Sequence, residues 1–247
     1  MESARRLSFG ANADAYARAR PEWPEEAARW LVPEGARLVV ELGAGTGKLT
    51  RALSALGVEV VAVEPDPRML AVLRGLGLDG VEGAAEAIPV PDGAADAVVA
   101  GSAIHWFDLP RALLEAHRVL RPGGRLAFGW NHRDGSAPGM DRFAAAIAEA
   151  RGGRSGWAER PWPELVSAGG LFAAVEHARF PHVHELPRAA LPDHLRSYAT
   201  IAALPEAEQD ALLTRLERLV DADPALRLGD TLTLPFAVDA YRAVRIP

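Results

Sequence analysis

Short apolar runs alternate with amphipathic stretches over the first half of this chain. Leu38–Val40 is mostly β-branched, the pattern of a strand buried on both faces. Behind it Leu49, Leu53 and Leu56 recur at helical spacing. Val58–Val63 is a second apolar run, and a helix opens near Pro67, since proline suits the first helical position. Gly80–Gly83 reads as a weak third strand, Ala95–Gly101 as a fourth and Arg125–Trp130 as a fifth. A helix over Leu109–Leu120 separates the last two and ends at the turn Arg121–Gly124. Strands that alternate with helices predict an α/β fold with a parallel sheet.

Past Trp130 the pattern thins. A polar loop is predicted over 131–138, helices over 141–151 and 163–168, and an edge strand over 174–184. Further helices are predicted over 190–203 and 206–221, the second with Leu212, Leu213, Leu216, Leu219 and Val220 on one face. Residues 230–246 predict one or two strands, with Pro235 favouring a break or an edge position. Ahead of the first strand, short helices are predicted over 11–19 and 24–31.

Composition narrows the classes. The 247 residues suit one α/β domain with extra helices and are enough to bury a full core. The net charge is −6, which disfavours nucleic acid or an anionic membrane as partner, because both select a basic surface. There is no cysteine, which excludes disulfides, thiolate metal sites and a cysteine nucleophile. No apolar stretch approaches the ~18 residues of a membrane span, and the N-terminus lacks the apolar core of a secretory signal. A cytoplasmic protein, monomeric or homodimeric, is the expectation.

The candidate chemistry starts at the end of the first strand. Glu41 closes the run, and Gly43, Gly45 and Gly47 follow it. Glycine permits positive φ and lets a ligand approach where a Cβ would stand. The helix start behind the turn offers N–H groups to a negative charge. Val58–Val63 ends in Glu64, Pro65 and Asp66. In doubly wound folds an acid at the tip of the second strand accepts the two hydroxyls of a ribose. The spacing is GxGxG, with Lys48 where the dinucleotide fingerprint GxGxxG places its last glycine.

ELGAGTG followed by VEPD resembles the class I S-adenosylmethionine-dependent methyltransferases. The segments SAIHWFD at 102–108 and HRVLRPGGRLAF at 117–128 carry the same resemblance, as does Phe9…Tyr16…Arg20-Pro21…Trp23-Pro24. Within the family, that N-terminal series and SAIHWFD resemble the group that includes trans-aconitate methyltransferases and related small-molecule enzymes. The resemblance runs from about residue 9 to about residue 130. It implies a doubly wound seven-stranded sheet, five strands parallel and the sixth and seventh antiparallel, with helices on both faces and a helical cap. Residues 1–247 form a single domain on this reading: a lid over 1–35, a cofactor-binding core over 36–131, and cap insertions with the last strands over 132–247.

The resemblance implies S-adenosylmethionine as cofactor, held by Tyr16, Arg20, Glu41, Gly43, Ala44, Gly45, Glu64, Pro65, Met69, Ala85, Glu86, Ser102 and Ala103. Many members carry an Asp where this chain has Ala84, so either Glu86 or backbone carbonyls hold the adenine amino group. Trp106, Trp130, Asn131 and Tyr198 are the expected acceptor wall, with Trp157 and Trp162 either joining it or filling the cap's own core. Arg142, Arg188 and Arg196 are available to an acidic acceptor.

A sulfonium donor carries its own leaving group, so the protein mainly aligns the acceptor. A carboxylate acceptor needs no base; a phenol, hydroxyl or amine is helped by one. His105 is the base candidate, following the fourth strand where ligands of open parallel sheets sit; the alternative is that it orients the loop or hydrogen-bonds the acceptor without moving a proton. His117 and His132 are weaker candidates. His177, His182 and His184 lack a partner at ligand spacing, so no metal is expected. The expected function is methyl transfer to a small molecule, a carboxylate or a secondary metabolite. A nicotinamide-dependent oxidoreductase and a non-catalytic S-adenosylmethionine-binding protein are the alternatives.

Overall fold

The sheet is the frame on which everything else is hung. In the computed structural model, which describes residues 17, 19–150, 152 and 160–247, strands run in the order β3-β2-β1-β4-β5-β8-β6, with β7 paired to β8. The parallel part comprises β1 (Leu38–Leu42), β2 (Glu59–Glu64), β3 (Gly80–Glu82), β4 (Ala95–Gly101) and β5 (Leu120–Arg133). Then β8 (Thr231–Val244) runs antiparallel to β5, and β6 (Glu176–Pro187) antiparallel to β8 at the sheet's edge. The expected seven strands are joined by an eighth, the two-residue β7 (Arg227–Leu228), which turns straight back onto β8.

Successive residues of each central strand enter opposite cores, as a two-residue period requires. Val40, Val98 and Phe128 face one layer with Leu113 and Val166; Val39, Val99 and Ala127 face the other with Leu31, Leu49 and Leu53. The first layer is covered by α4 (Leu109–Val119) and α6 (Trp162–Ser167), the second by α1 (Glu25–Leu31) and α2 (Lys48–Ser54). α3 (Pro67–Gly75) starts on Asp66, whose carboxylate accepts the Arg68 N–H at 2.9 Å, a standard side-chain cap. A third core joins α5 (Met140–Ala150), α7 (Leu191–Arg196) and α9 (Glu206–Ala222) to Leu232, Leu234 and Phe236 of β8. This is the cap, and it stands on the same sheet.

Four expectations change in detail. β5 runs on through Asn131–Arg133, where a polar loop was expected, because these residues pair with Phe236–Val238 of β8. The helix expected over 190–203 is broken into α7 and α8 (Ala199–Ala202). Between them the Ser197 hydroxyl donates to the His194 carbonyl at 2.6 Å, a local bond that competes with helix continuation. Pro235 sits inside an unbroken β8, not at a break or an edge. Its carbonyl accepts from Asp134 N–H at 3.0 Å, just past the end of β5, so the donor that proline lacks falls where no β5 carbonyl needs it. Trp162 belongs to neither the cap nor an acceptor wall: it packs on Phe128 and Trp130 beneath the sheet. The helix expected over 11–19, Tyr16 and Trp157 lie in whole or in large part outside the described residues. No described helix is long and apolar enough to cross a membrane.

Candidate active site

The carboxyl ends of β1, β2, β4 and β5 open on one cleft of about 480 Å³, within the usual range of small-molecule sites. The turn after β1 forms its floor. Gly43 and Gly45 have φ of +67° and +58°, backbone that favours glycine. They answer different needs. A Cβ on Gly43 would stand 2.7 Å from the Ala103 Cβ, so the loop after β4 fixes that glycine. A Cβ on Gly45 would meet nothing within 4 Å among the described residues, so its backbone is left bare by them.

Glu64 at the tip of β2 is tied to this turn. One carboxylate oxygen accepts the Gly45 N–H at 2.7 Å, and the other accepts the Asp66 N–H at 2.8 Å. Each oxygen retains a second lone pair. Burial raises the Glu64 pKa against the pull of those two donors. Glu41 is more deeply buried, accepts from the Thr50 hydroxyl at 2.6 Å and is pushed up to about 8, by burial first and the Glu64 charge after it. Thr46 Oγ1, in the same cleft, is buried with no hydrogen-bond partner among the described residues. An unsatisfied buried hydroxyl costs about 1–3 kcal/mol, a cost that a polar group placed at this corner would relieve.

The loop after β4 supplies the opposite wall. Ser102 takes φ of +54°, an uncommon conformation for a residue with a side chain and one that gathers at functional sites. Its N–H donates to Gly129 O at 2.7 Å, which pins the loop to β5. Behind it a single 3₁₀ turn carries His105 and Trp106. The Trp130 indole N–H donates to His105 Nδ1 at 3.1 Å. Burial pushes His105 down to about 4, with the Arg160 charge adding to it.

The N-terminal segment 19–23 crosses the cleft. Ala19 O accepts from His184 Nε2 at 3.2 Å and His194 Nδ1 at 2.7 Å. Arg20 donates to Ser197 O at 2.9 Å. Glu22 O accepts from Asn131 Nδ2 at 2.8 Å, and its carboxylate pairs with Lys48 and Arg51. Tyr198 lies under two guanidinium groups, Arg20 at 3.7 Å and Arg133 at 4.2 Å from its ring centre, and its buried hydroxyl has no hydrogen-bond partner among the described residues.

All the expected site residues that are described line this one cleft, Tyr16 lying outside the described residues. Three arrive with their side chains already committed. Asn131 gives its amide to Glu22 O and accepts His182 Nε2 at 2.9 Å. Trp130 is buried, with its ring among Phe128, Trp162 and Tyr241. Glu86 accepts the Asp108 N–H at 2.7 Å. Of the expected arginines, Arg188 is bound to Asp221 and Arg196 to Asp210, and Arg142 is exposed, all three away from the cleft. Arg133 is in it instead, as are Thr46, Phe107 and His132, and Ala144, Ile147 and Ala148 of α5. The i, i+3, i+4 spacing of that last trio marks a helix face, a signal present in the sequence but identical to that of a core-facing stripe. His117 sits on α4 and binds Ile246 O at 3.0 Å, remote from the cleft.

Comparison with known proteins agrees with this geometry. A family model described as a methyltransferase domain matches residues 40–128. An uncharacterized methyltransferase of Mycobacterium tuberculosis is 40% identical over 239 residues, 96% of this chain and 95% of its own. An uncharacterized methyltransferase-like protein of Schizosaccharomyces pombe is 31% identical, over 94% of this chain and 93% of its own. Among solved structures, a proposed type II methyltransferase from Anaeromyxobacter dehalogenans shares the fold, with a TM-score of 0.70 at 20% identity over 92% of this chain and 99% of that one. These relatives set aside the nicotinamide-dependent alternative: the chain belongs to the class I S-adenosylmethionine-dependent methyltransferase family.

Proposed function

We propose that the cleft holds S-adenosylmethionine across the tips of β1 and β2 and transfers its methyl group to a small molecule seated beside Trp106 and Tyr198. The observation that carries this reading is Glu64. Its two oxygens are fixed by main-chain donors on both sides, leaving a lone pair on each for the paired hydroxyls of a ribose. The donor supplies a sulfonium-bound methyl, and the chain supplies position.

Around that anchor the roles follow from place. The bare backbone of Gly43, Ala44 and Gly45, with Glu41 behind it, takes the amino-acid end, and the Thr46 hydroxyl gains the partner it lacks. Arg20 lies beside this end, with Tyr16 the expected companion. Pro65, Met69, Ala85 and Glu86 flank the adenine. Met69 and Ala85 are buried and offer it an apolar seat, while the carboxylate of Glu86 is already engaged by Asp108 N–H, which leaves backbone groups as the simpler partners for the adenine amino group. Ser102 and Ala103 then border the methyl. The acceptor site is the remainder: Trp106, the edge of Trp130, the backbone of Asn131, and Tyr198 with its unpaired hydroxyl. Its walls are largely apolar, with cationic side chains at Arg20 and Arg133, which suits a small organic acceptor carrying a carboxylate or another polar group.

Isothermal calorimetry with S-adenosylhomocysteine tests the reading. Micromolar binding is the expected result. No heat with either that nucleoside or S-adenosylmethionine, or thermal protection by NAD(H) alone, would reject it.

A further inference from the structure

One hydrogen bond decides what His105 is able to do. An indole N–H only donates, so the bond from Trp130 Nε1 to His105 Nδ1 requires a bare lone pair on Nδ1. A neutral imidazole has one N–H, which is then on Nε2. The ring geometry sends that N–H away from the indole, and the histidine lines the cleft. The pair is firmly seated. Trp130 is 2% exposed and wedged among Phe128, Trp162 and Tyr241, and Trp106 packs on the other flank of the histidine, with ring centres 4.8 Å apart.

We propose that His105 is a positioning donor: it presents Nε2–H to a lone pair of the methyl acceptor and takes no proton from it. A base at Nε2 would need its proton on Nδ1, where the indole N–H already points. Burial and the nearby Arg160 charge further oppose the imidazolium a base would become. Among the described residues, no carboxylate is bonded to His105 to favour that cation.

The consequence is a substrate class. With no proton accepted at His105, the preferred acceptor is a nucleophile already ionised at neutral pH, such as a carboxylate. In that reaction an acceptor oxygen forms the new C–O bond while the sulfur–methyl bond breaks. The sulfur keeps the bonding pair as a neutral thioether, and no proton is released. The second lone pair or the second oxygen of the acceptor is what His105 holds.

The inference rests on the placement of the methyl beside Ser102 and Ala103, and the experiment separates the two. Long-range proton–nitrogen NMR on the full chain, with nitrogen-labelled histidine, reads the tautomer directly; His105→Gln assigns the signal. A bare Nδ1 and protonated Nε2 at pH 7, lost in Trp130→Phe, is the expected result. An Nδ1–H tautomer or an imidazolium at pH 7 would overturn the proposal whether or not the nucleoside binds. Binding of S-adenosylhomocysteine to each variant reports on the cofactor placement and on folding. Turnover on a panel of small carboxylic acids, phenols and amines then separates donor from base. Carboxylates should lead, His105→Gln should stay within about fivefold of the parent because its amide still donates, and His105→Leu should lose about tenfold or more. A phenol or amine as best acceptor, with a basic limb in kcat against pH that His105→Gln abolishes, would sink it.

Discussion

Glu41 and Glu64 are the same residue type and both are buried at strand tips, yet of the two it is Glu64 that has backbone donors on both oxygens. Replacing Glu64 with Ala removes the proposed ribose acceptor, and S-adenosylhomocysteine affinity should fall by at least about tenfold, since hydrogen bonds to a charged group are worth roughly 1.5–3 kcal/mol. Unchanged affinity in calorimetry would reject the role. Glu41 predicts something else. Its folded pKa lies near 8 against an ordinary value of 4.5. The folded chain therefore keeps a proton that the unfolded chain loses, and stability falls as pH rises from about 4.5 to about 8. Glu41→Gln keeps an acceptor for Thr50 and removes the titration. Urea unfolding of the ligand-free protein should show the variant more stable than the parent at pH 8.5, by a few kcal/mol at most, and little different at pH 4.5.

At the scale of elements, the segment 19–23 depends on side chains from β5, β6 and α7. His184 and His194 both donate to Ala19 O, and burial depresses both, His184 to about 4. Histidines held neutral stabilise fully above pH 6.5. The His184 contribution is lost as pH falls from 6.5 toward 4, and that of His194 at lower pH than its ordinary value, because the unfolded chain takes up protons first. His184→Gln should flatten that part of the stability–pH curve in urea titrations; an unchanged slope would show that His184 is not coupled to folding. Asn131→Ala should speed hydrogen exchange at residues 19–23, since it frees Glu22 O and drops the link to His182. Here the limits of reading a sequence are physical. The turn Gly43–Gly47 and the acid Glu64 were legible because local backbone and one carboxylate define them. The partners of Asn131 were not, because Glu22 and His182 reach it from 109 and 51 residues away. The same holds for His105: its position after β4 was readable, but its tautomer is set by Trp130 on the next strand.

For the whole molecule, the alternating apolar runs of residues 38–130 sufficed to anticipate the parallel sheet, because buried parallel strands carry little else. The later strands were blurred because β6 is an edge strand, with Glu176, His177 and Glu185 facing solvent, and because a proline interrupts the β8 pattern without interrupting the strand. That long β8 has a mechanical consequence. Leu232, Leu234 and Phe236 are packed in the cap, while Val238, Ala240 and Ala243 are packed against the sheet. One continuous backbone thus rivets both cores, and neither is able to loosen while the other stays rigid. Differential scanning calorimetry should record a single endotherm with matching van't Hoff and calorimetric enthalpies; two resolved peaks would contradict it. A chain cut after residue 131 would bare the outer edge of β5 that β8 covers, an invitation to edge-to-edge aggregation, so the cap is no detachable module.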